Sequence, residues 1–292
     1  MQSADISMSI FSKIFSLKSA SQMRIVFLFL TIVFLDGCTQ PQKTDEEKER
    51  GRLVRNHIKR ITEYKTSFLQ NLAGKEQISH LKIFNTKGFV IKEIDYNESG
   101  SAKYILAHEY DKNNNLIYSI TKNSDSSLFC KEVRRYGEKN KLKELIHFLS
   151  DGTVEYKHAY LYDEEGRMVE LEVFWPEELS AIHKFTYERK KKLEYAEYSA
   201  DKKLLSKISY KYDSHGNLME AIQSGTDSSK SKKIIYLYNL INQITKQAIF
   251  SGESLQNTLS YEYDKKYFLS VKIKFSSTGK ITTKYRYQYD FF

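Results

Sequence analysis

The chain has 292 residues and a formal net charge of +9, with 28% charged and 40% hydrophobic residues. Its length is ample for a buried core. The 14% of aromatic residues, with only two prolines, excludes a disordered or proline-rich chain. Composition therefore predicts a folded protein in which aromatic side chains supply much of the buried surface.

The N-terminal segment carries a targeting signal. Ile25 to Leu35 reads IVFLFLTIVFL, in which only Thr31 is polar, and Arg24 precedes it. Such a run is too short for an ordinary transmembrane helix and is typical of the apolar part of a secretory signal peptide. We predict a signal over residues 1–37, and Met23 is an alternative initiator that would make this signal more compact.

The end of this segment, Leu35-Asp-Gly-Cys38, resembles the bacterial lipobox. The resemblance implies cleavage before Cys38, which then becomes the first mature residue and carries the lipid. Asp36 stands where small or aliphatic residues are usual. The expected location is the bacterial cell envelope, with the outer membrane favoured and the periplasmic and surface faces both open. Several acyl chains anchor a protein stably where one does not.

The segment 38–55 is polar and charged, and we predict that it is a flexible tether. Two interpretations exist for the residues that follow. One is an amphipathic helix over 44–72, capped by Thr44 with Glu47 three residues later. The favoured one is a strand from about Ile58 with a short helical or disordered lead-in. With Cys38 lipidated, Cys130 is left alone, so no internal disulfide is expected.

From Phe84 to its end the chain repeats with a period of 25 or 26 residues. The marker of each unit is a Tyr or Phe, found at positions 84, 110, 136, 162, 187, 212, 238, 263 and 289. A fixed period of this length is the mark of a repeat architecture. We therefore assign residues 56–292 to one repeat domain of about eight units.

Each marker is followed by a tight turn. Asp at the first turn position accepts from backbone amides two residues on, and Gly or Asn tolerates the positive φ that the fourth position needs. The turn residues predicted to be structural are Asp111, Asp163, Gly166, Asp213, Gly216 and Asp264. Six residues after each marker stands an aliphatic residue in every copy, which predicts a strand start on a buried face.

A second ring often comes twelve residues after the marker, at Tyr96, Phe148, Phe174, Phe250 and Phe275. Even spacing puts the marker, the aliphatic residue and this ring on one face if the turn keeps register. Alternation in stretches such as Tyr285 to Tyr289 favours strands over helices. The prediction is an all-β antiparallel hairpin meander of sixteen or seventeen strands, in an extended, twisted or spiralling sheet.

The units Tyr160 to Met168 and Tyr210 to Leu218 read Tyr-x-Tyr-Asp-x-x-Gly-x-(Leu or Met) and resemble YD (RHS-type) repeats. They are more distantly similar to MORN-type and antitoxin-like repeats. The resemblance covers roughly residues 84–292 and implies consecutive hairpins in a long twisted or spiralling sheet. Large members of the YD family enclose a toxin domain, whereas no enclosed enzymatic domain is expected here.

No sequence motif indicates an enzyme, a cofactor or a metal. The seven His are scattered, and His108, His158 and His183 fall on first strands, where they are expected to be sheet-surface side chains. Glu170 and Glu172 share a strand face at a spacing close to that of glycosidase carboxylates, but alternation makes such pairs common. Cys130 is interpreted as a small buried hydrophobe.

Two features could bind a partner. The Tyr stripes are interpreted as the packed inner face of the sheet, with a stacking platform for sugars as the alternative. Arg189, Lys190, Lys191 and Lys192 form a possible anion-binding cluster, although a solvated turn is the favoured interpretation. Lys202 with Lys203 and residues 230–233 are similar clusters.

The predicted function is a non-enzymatic binding scaffold in the envelope, with a surface adhesin as one form of it. Its partners are the membrane, through the lipid, and a protein or glycan, through a sheet face. Nucleic acid is not expected after export. The alternative is a periplasmic immunity or antitoxin-like protein that neutralises an exported toxin.

Overall fold

The computed structural model describes residues 45–225 and 231–292. Cys38, the predicted signal and Lys230 lie outside the described residues. One α-helix is present in the described part, α1 (Asp45–Arg55), and β1 (Ile58–Leu69) follows it. The prediction of a strand from Ile58 with a short helical lead-in is confirmed, and the alternative of a helix reaching residue 72 is wrong. Residues 45–55, predicted as part of a flexible tether, are helical.

Hairpin strands make up the rest of the described chain. In order they are β2 (Leu72–Ala73), β3 (Gln77–Phe84), β4 (Val90–Tyr96), β5 (Ala102–Tyr110), β6 (Leu116–Asn123), β7 (Leu128–Tyr136), β8 (Leu142–Leu149), β9 (Val154–Tyr162) and β10 (Met168–Trp175). They continue as β11 (Glu178–Glu188), β12 (Lys191–Ser199), β13 (Leu204–Tyr212), β14 (Leu218–Gly225), β15 (Lys232–Tyr238), β16 (Ile244–Ser251), β17 (Ser254–Tyr263), β18 (Leu269–Ser276) and β19 (Ile281–Phe291).

The sheet is closed. From β3 to β19 each strand pairs antiparallel with the next, and β1 pairs with both β3 and β19. Ile58 lies opposite Phe291 and Ile61 opposite Tyr289. Only the two-residue β2 stands outside this 18-strand barrel of described residues. The antiparallel meander is confirmed, but the expectation of an extended or spiralling sheet is wrong. β1, which precedes the first marked unit, supplies the strand that joins the two ends.

A bulge in each hairpin decides which face the second ring occupies. Tyr162 pairs with Met168, but Leu161 pairs with Glu170, so one residue of β10 is unpaired. This extra residue reverses the parity of the strand after it. Phe174 consequently lies opposite Lys157, on the other face from Tyr162. The expectation that the marker and the second ring share a face is wrong for this reason.

We call the face that carries the marker aromatics the inner wall and the opposite face the outer wall. Inner-wall residues are the more buried: Val173 and Tyr195 are each 1% exposed, whereas Leu161 and Leu237 of the outer wall are 45% and 53% exposed. Side chains that converge inside a closed sheet lose more of their surface than those that diverge outside it. The stripes at Tyr285 to Tyr289 and Tyr210 to Tyr212 are half-buried on the inner wall.

The tight turns all lie at one end of the barrel, which we call the tight-turn rim; the looser turns form the far rim. At the tight-turn rim, φ is positive at Gly88, Asn114, Asn140, Gly166, Gly216 and Asn242. Asp213 shows the turn chemistry, because its Oδ1 accepts from the backbone N–H of His215 and of Asn217.

The unit marked by Tyr187 departs from the others. Glu188 pairs directly with Lys191, so only two residues form this turn, and positive φ falls on Arg189. Tyr187 then lies opposite Lys192, not opposite Leu193, which is 40% exposed. The expectation that the aliphatic residue six positions on always returns to a buried face is therefore wrong in this unit, because the turn is one residue shorter.

The last turn of α1 packs on the barrel where its two ends meet. Leu53 is 5% exposed and forms one core cluster with Ile58, Phe84 and Phe268. Arg52 donates to the backbone oxygen of Tyr267 at 2.7 Å, and its guanidinium lies over the ring of Phe268. The chain thus enters the barrel at the tight-turn rim.

Candidate functional site

A continuous chain of polar contacts crosses the inner wall from β3 to β9, and we call it the inner polar belt. Its members are His80, Glu93, Asp95, His108, Ser119, Glu132, Arg134, His147 and Glu155. The strands position eight of these residues by parity, because every second residue of a strand points to the same wall, whereas Glu155 is the unpaired residue of a bulge between Val154 and Tyr156.

The belt begins with a histidine held by two carboxylates. His80 Nδ1 lies 2.6 Å from Asp95 Oδ1, and His80 Nε2 lies 3.0 Å from Glu93 Oε2. Burial opposes the charged imidazole, but the hydrogen bonds to Asp95 and Glu93 outweigh it and raise the pKa of His80 to about 9. Burial likewise raises the pKa of Glu93, but hydrogen bonds from His108 and His80 hold it well below its usual range. His80 and Glu93 are therefore both charged at neutral pH.

The middle of the belt continues through a shared serine. His108 Nδ1 lies 3.0 Å from Ser119 Oγ, which also accepts from Arg134 Nη1 at 2.9 Å. Arg134 Nη2 donates in turn to Glu132. Burial opposes ionisation of Glu132, but His147 and Arg134 lower its pKa to about 2. This carboxylate is thus held in its charged form.

Beyond Glu132 aromatic rings pack against the inner polar belt. His147 Nε2 lies 3.3 Å from Glu155 Oε2, and its ring stacks on Tyr156 with centroids 4.6 Å apart. Tyr156 also contacts His158 and Trp175, at centroid distances of 4.9 and 5.3 Å. This part of the inner wall is a packed ring cluster.

Two further inner-wall histidines are neutral. Burial lowers the pKa of His158 to about 4 and that of His183 to about 3. His183 is fully buried, and its Nδ1 shares a hydrogen bond with the Tyr195 hydroxyl. Among residues 45–225 and 231–292, no atom forms a hydrogen bond with its Nε2. A buried histidine without a carboxylate partner sheds its proton for this reason.

A second polar group lies where the barrel closes. Glu63 of β1 accepts from Tyr287 Oη and from Ser79 Oγ, each at 2.7 Å, and lies 3.6 Å from Lys272 Nζ. The ammonium group of Lys272 also lies over the ring of Tyr285. Burial lowers the pKa of Lys272 although Glu63 opposes this shift. These contacts join β1, β18 and β19 on the inner wall.

The predicted turn residues lie on the tight-turn rim, away from the belt. Asp111, Asp163 and Asp264 each accept from backbone N–H groups of their own turns. Gly166 and Gly216 have φ of 78° and 91°. These turn contacts are structural.

The predicted anion-binding cluster does not converge on one point. The ammonium group of Lys191 lies over the ring of Tyr212, and that of Lys192 lies between Phe185 and Tyr210. Arg189 and Lys190 are exposed. The cluster therefore divides into two stacked lysines and two solvated side chains.

Several predicted side chains lie apart from the belt. Glu170 and Glu172 are on the outer wall, where Glu170 pairs with Lys184 at 3.1 Å. Cys130 is buried and carries a free thiol. In residues 45–225 and 231–292, no group of three or more His, Cys, Asp or Glu side chains is arranged to hold a metal ion.

The inner polar belt was not predicted from the sequence, but the inner-wall position of four histidines could have been. His80, His158 and His183 each stand four residues before a marker aromatic, and His108 stands two before one. These even offsets place all four on the marker's wall.

The described residues contain no helix with the length and apolar character needed to cross a membrane.

Comparisons with known proteins give low similarity. No family model matches the chain, and no curated protein matches it. The crystal structure of TcdB2-TccC3-Cdc42 is 13% identical over 76% of this chain, with a TM-score of 0.36, and the match spans only 14% of that chain. A porin-like protein from Bacteroides uniformis is 12% identical over 80% of this chain and 97% of its own, with a TM-score of 0.42. A porin-like protein from Bacteroides vulgatus is 14% identical over 64% and 94%, with a TM-score of 0.38. At these identities and TM-scores the likenesses carry no argument about function.

Proposed function

We propose that this chain is a lipid-anchored envelope protein whose barrel is a non-enzymatic scaffold for binding a protein or glycan. The anchor is Cys38, at the end of the Leu35-Asp-Gly-Cys38 motif. The observation that carries the scaffold role is the inner polar belt, in which carboxylates and cations form hydrogen bonds or ion pairs along seven strands.

Two properties of the belt support binding over catalysis. A general acid or base works best when its pKa is near the working pH. His80, with a pKa of about 9, and Glu132, with a pKa of about 2, are instead held in their charged states. The half-buried Trp175 ring near these charges offers a stacking surface and an indole N–H, which are features that sugar- and peptide-binding sites use.

The outer wall supports attachment through the lipid. Its lysines and carboxylates pair across strands, as in Lys184 with Glu170 at 3.1 Å and Lys211 with Glu220 at 2.6 Å. Such exposed pairs contribute little stability and are typical of a surface that faces water. A body with this surface needs a separate device to stay at a membrane, and acyl chains on Cys38 would supply it.

Metabolic labelling with radioactive palmitate tests the anchor. The wild-type chain is expected to incorporate the label and the Cys38→Ser variant to lose it entirely. Labelling is the better readout because an uncleaved apolar segment at 25–35 would itself enter a detergent phase. Wild-type protein that carries no label would contradict the proposal. Protease treatment of intact cells then separates a surface scaffold, which is digested, from a periplasmic one.

A further inference from the structure

Five large apolar side chains project into solvent from one arc of the tight-turn rim. They are Leu240, Ile241, Tyr267, Phe291 and Phe292, with exposures of 103%, 52%, 57%, 48% and 55%. We call them the apolar rim patch. They belong to the β15–β16 turn, the β17–β18 turn and the end of β19, which follow one another around the barrel.

Direct contacts join these three parts of the arc. Gln243, at the end of the β15–β16 turn, donates through Nε2 to the backbone oxygen of Tyr267 at 2.9 Å. Lys266 places its ammonium group 4.9 Å from the centroid of the Phe291 ring. The patch is therefore one surface with two exposed basic residues, Lys265 and Lys266, beside it.

The residue types at the centre of the β15–β16 turn differ from those of the other tight turns. The central positions of the other described tight turns are Thr86-Lys87, Lys112-Asn113, Glu138-Lys139, Glu164-Glu165, Arg189-Lys190, Ser214-His215 and Lys265-Lys266. Polar residues are usual there because turn backbones face water. Leu240-Ile241 breaks this rule.

Tyr267 is a second exception. Its φ is +65°, at the turn position where Gly88, Gly166 and Gly216 stand in other units. A tyrosine in this left-handed region is disfavoured relative to glycine. The exposed ring thus stands at a backbone position that costs the turn stability, which points to a role outside the fold.

We propose that the apolar rim patch docks on the lipid bilayer, with Leu240, Ile241, Tyr267 and the terminal phenylalanines in the headgroup region and Lys265 and Lys266 against anionic lipid. Aromatic and aliphatic side chains flanked by lysines are the composition of interfacial membrane contacts. This inference deepens the proposed function and rests on its lipid anchor.

Both rims carry exposed apolar side chains, so exposure alone does not identify the rim that faces the bilayer. Leu69 and Leu72 project from the far rim with exposures of 78% and 75%. The path of the chain makes the choice, because the last turn of α1 packs at the tight-turn rim through Leu53 and Arg52. A lipid on Cys38 is thus connected to the barrel through the rim that carries the patch.

Vesicle flotation tests this docking without the lipid. The probe protein is the mature chain from position 38 with Cys38→Ser, and the vesicles are phosphatidylethanolamine with phosphatidylglycerol, or phosphatidylcholine alone. We expect binding to the anionic vesicles, weakened roughly tenfold or more by Leu240→Ser with Ile241→Ser. The matched control is Leu69→Ser with Leu72→Ser, which removes two equally exposed leucines from the far rim and should leave binding unchanged.

Tyr267→Gly separates docking from folding. Glycine adopts a positive φ without strain, so the thermal midpoint of unfolding should stay the same or rise while vesicle binding falls. Absence of binding by the Cys38→Ser chain, or equal losses in the two double-serine variants, would overturn the proposal. So would a change of oligomeric state in the rim variants with vesicle binding unaltered, because the patch would then join two copies. Failure of palmitate labelling with these vesicle results intact would reject the lipid anchor alone.

Discussion

Single residues on the inner wall give this protein two opposite responses to pH. His183 is buried with a pKa of about 3, well below the ordinary histidine value of about 6.5. The folded state therefore loses stability as pH falls from about 6.5 towards 3, because the unfolded chain takes up the proton first. His80, with a pKa of about 9, acts in the other direction, and its contribution is lost as pH rises from 6.5 to 9.

We predict that His183→Phe flattens the acid side of this profile. Wild type should lose up to about 2 kcal/mol from His183 between pH 7 and pH 5, at 1.36 kcal/mol per pH unit below the unfolded pKa. The variant lacks this term, although losing the hydrogen bond to Tyr195 lowers its stability at pH 7. Urea unfolding at the two pH values measures both effects.

His215→Gln is the control for His183, because His215 is exposed on a turn. It should keep the wild-type difference between pH 7 and pH 5. If His183→Phe also kept the full wild-type difference, the acid sensitivity would come from other groups. His158, with a pKa of about 4, would be the next residue to replace.

At the scale of one hairpin, the marker tyrosines join neighbouring units. Each hydroxyl donates to the backbone oxygen at the start of the second strand in the preceding hairpin. The pairs are Tyr110 with Val90, Tyr136 with Leu116, Tyr162 with Leu142, Tyr187 with Met168, Tyr212 with Lys192, Tyr238 with Leu218, Tyr263 with Ile244 and Tyr289 with Leu269, at 2.7 to 2.9 Å. We call this set the tyrosine ladder.

Phe84 begins the series without a hydroxyl. It lies instead in the cluster with Leu53, Ile58 and Phe268. The helix before β1 contributes Leu53 to this cluster, beside the one marker that has no hydroxyl to donate.

We predict that Tyr162→Phe lowers the free energy of unfolding by about 1 kcal/mol, the usual net contribution of one hydrogen bond. Tyr162→Phe and Tyr238→Phe together should cost the sum, because the two sites share no unit. Denaturant unfolding provides the measurement. Tyr118→Phe, on the outer wall and outside the tyrosine ladder, is the control. An equal loss of unfolding free energy in this variant would show that the ladder hydrogen bonds are not the cause.

Sequence reasoning works best at this scale. The period, the turn positions and the alternation of Tyr285 to Tyr289 lead directly to hairpins, because each depends on neighbours in the chain. The bulge after Met168 and the short turn after Tyr187 were missed. A one-residue shift in strand pairing leaves the composition unchanged, but it moves the side chains that follow to the opposite wall. The inner polar belt depends on these parities and could be assembled only from the structure.

Closure belongs to the whole molecule, and the sequence led instead to the expectation of an extended sheet. Nothing in the local pattern of β1 indicates that it pairs with β19, a strand more than 200 residues away along the chain. Closure depends on strand number and accumulated twist, which no single unit encodes. Closure also determines how the protein responds to truncation, because removing strands from a closed sheet creates two edges where there were none.

Truncation and circular permutation distinguish a closed barrel from an open array of repeats. Removing residues 264–292 deletes β18 and β19. β1 and β17 then become edge strands, each paired on one side only. An open repeat array would tolerate this cut and lose only the stability of one unit. The closed barrel instead predicts that the truncated chain loses its cooperative unfolding transition and aggregates through the new edges.

The control is a circular permutant that keeps every strand. The backbone N–H of Phe292 donates to the oxygen of His57, so the C-terminus lies beside the start of β1. A flexible linker of about ten Gly and Ser residues from Phe292 to Asp45 would span α1, which is about 16 Å long. New termini between Glu98 and Ser99 fall in an exposed turn of the far rim. This permutant should unfold in one transition near the wild-type midpoint, as followed by circular dichroism. A truncated chain that melted as cooperatively as the permutant would show that pairing of β1 with β19 contributes little, and the units would then act as an array.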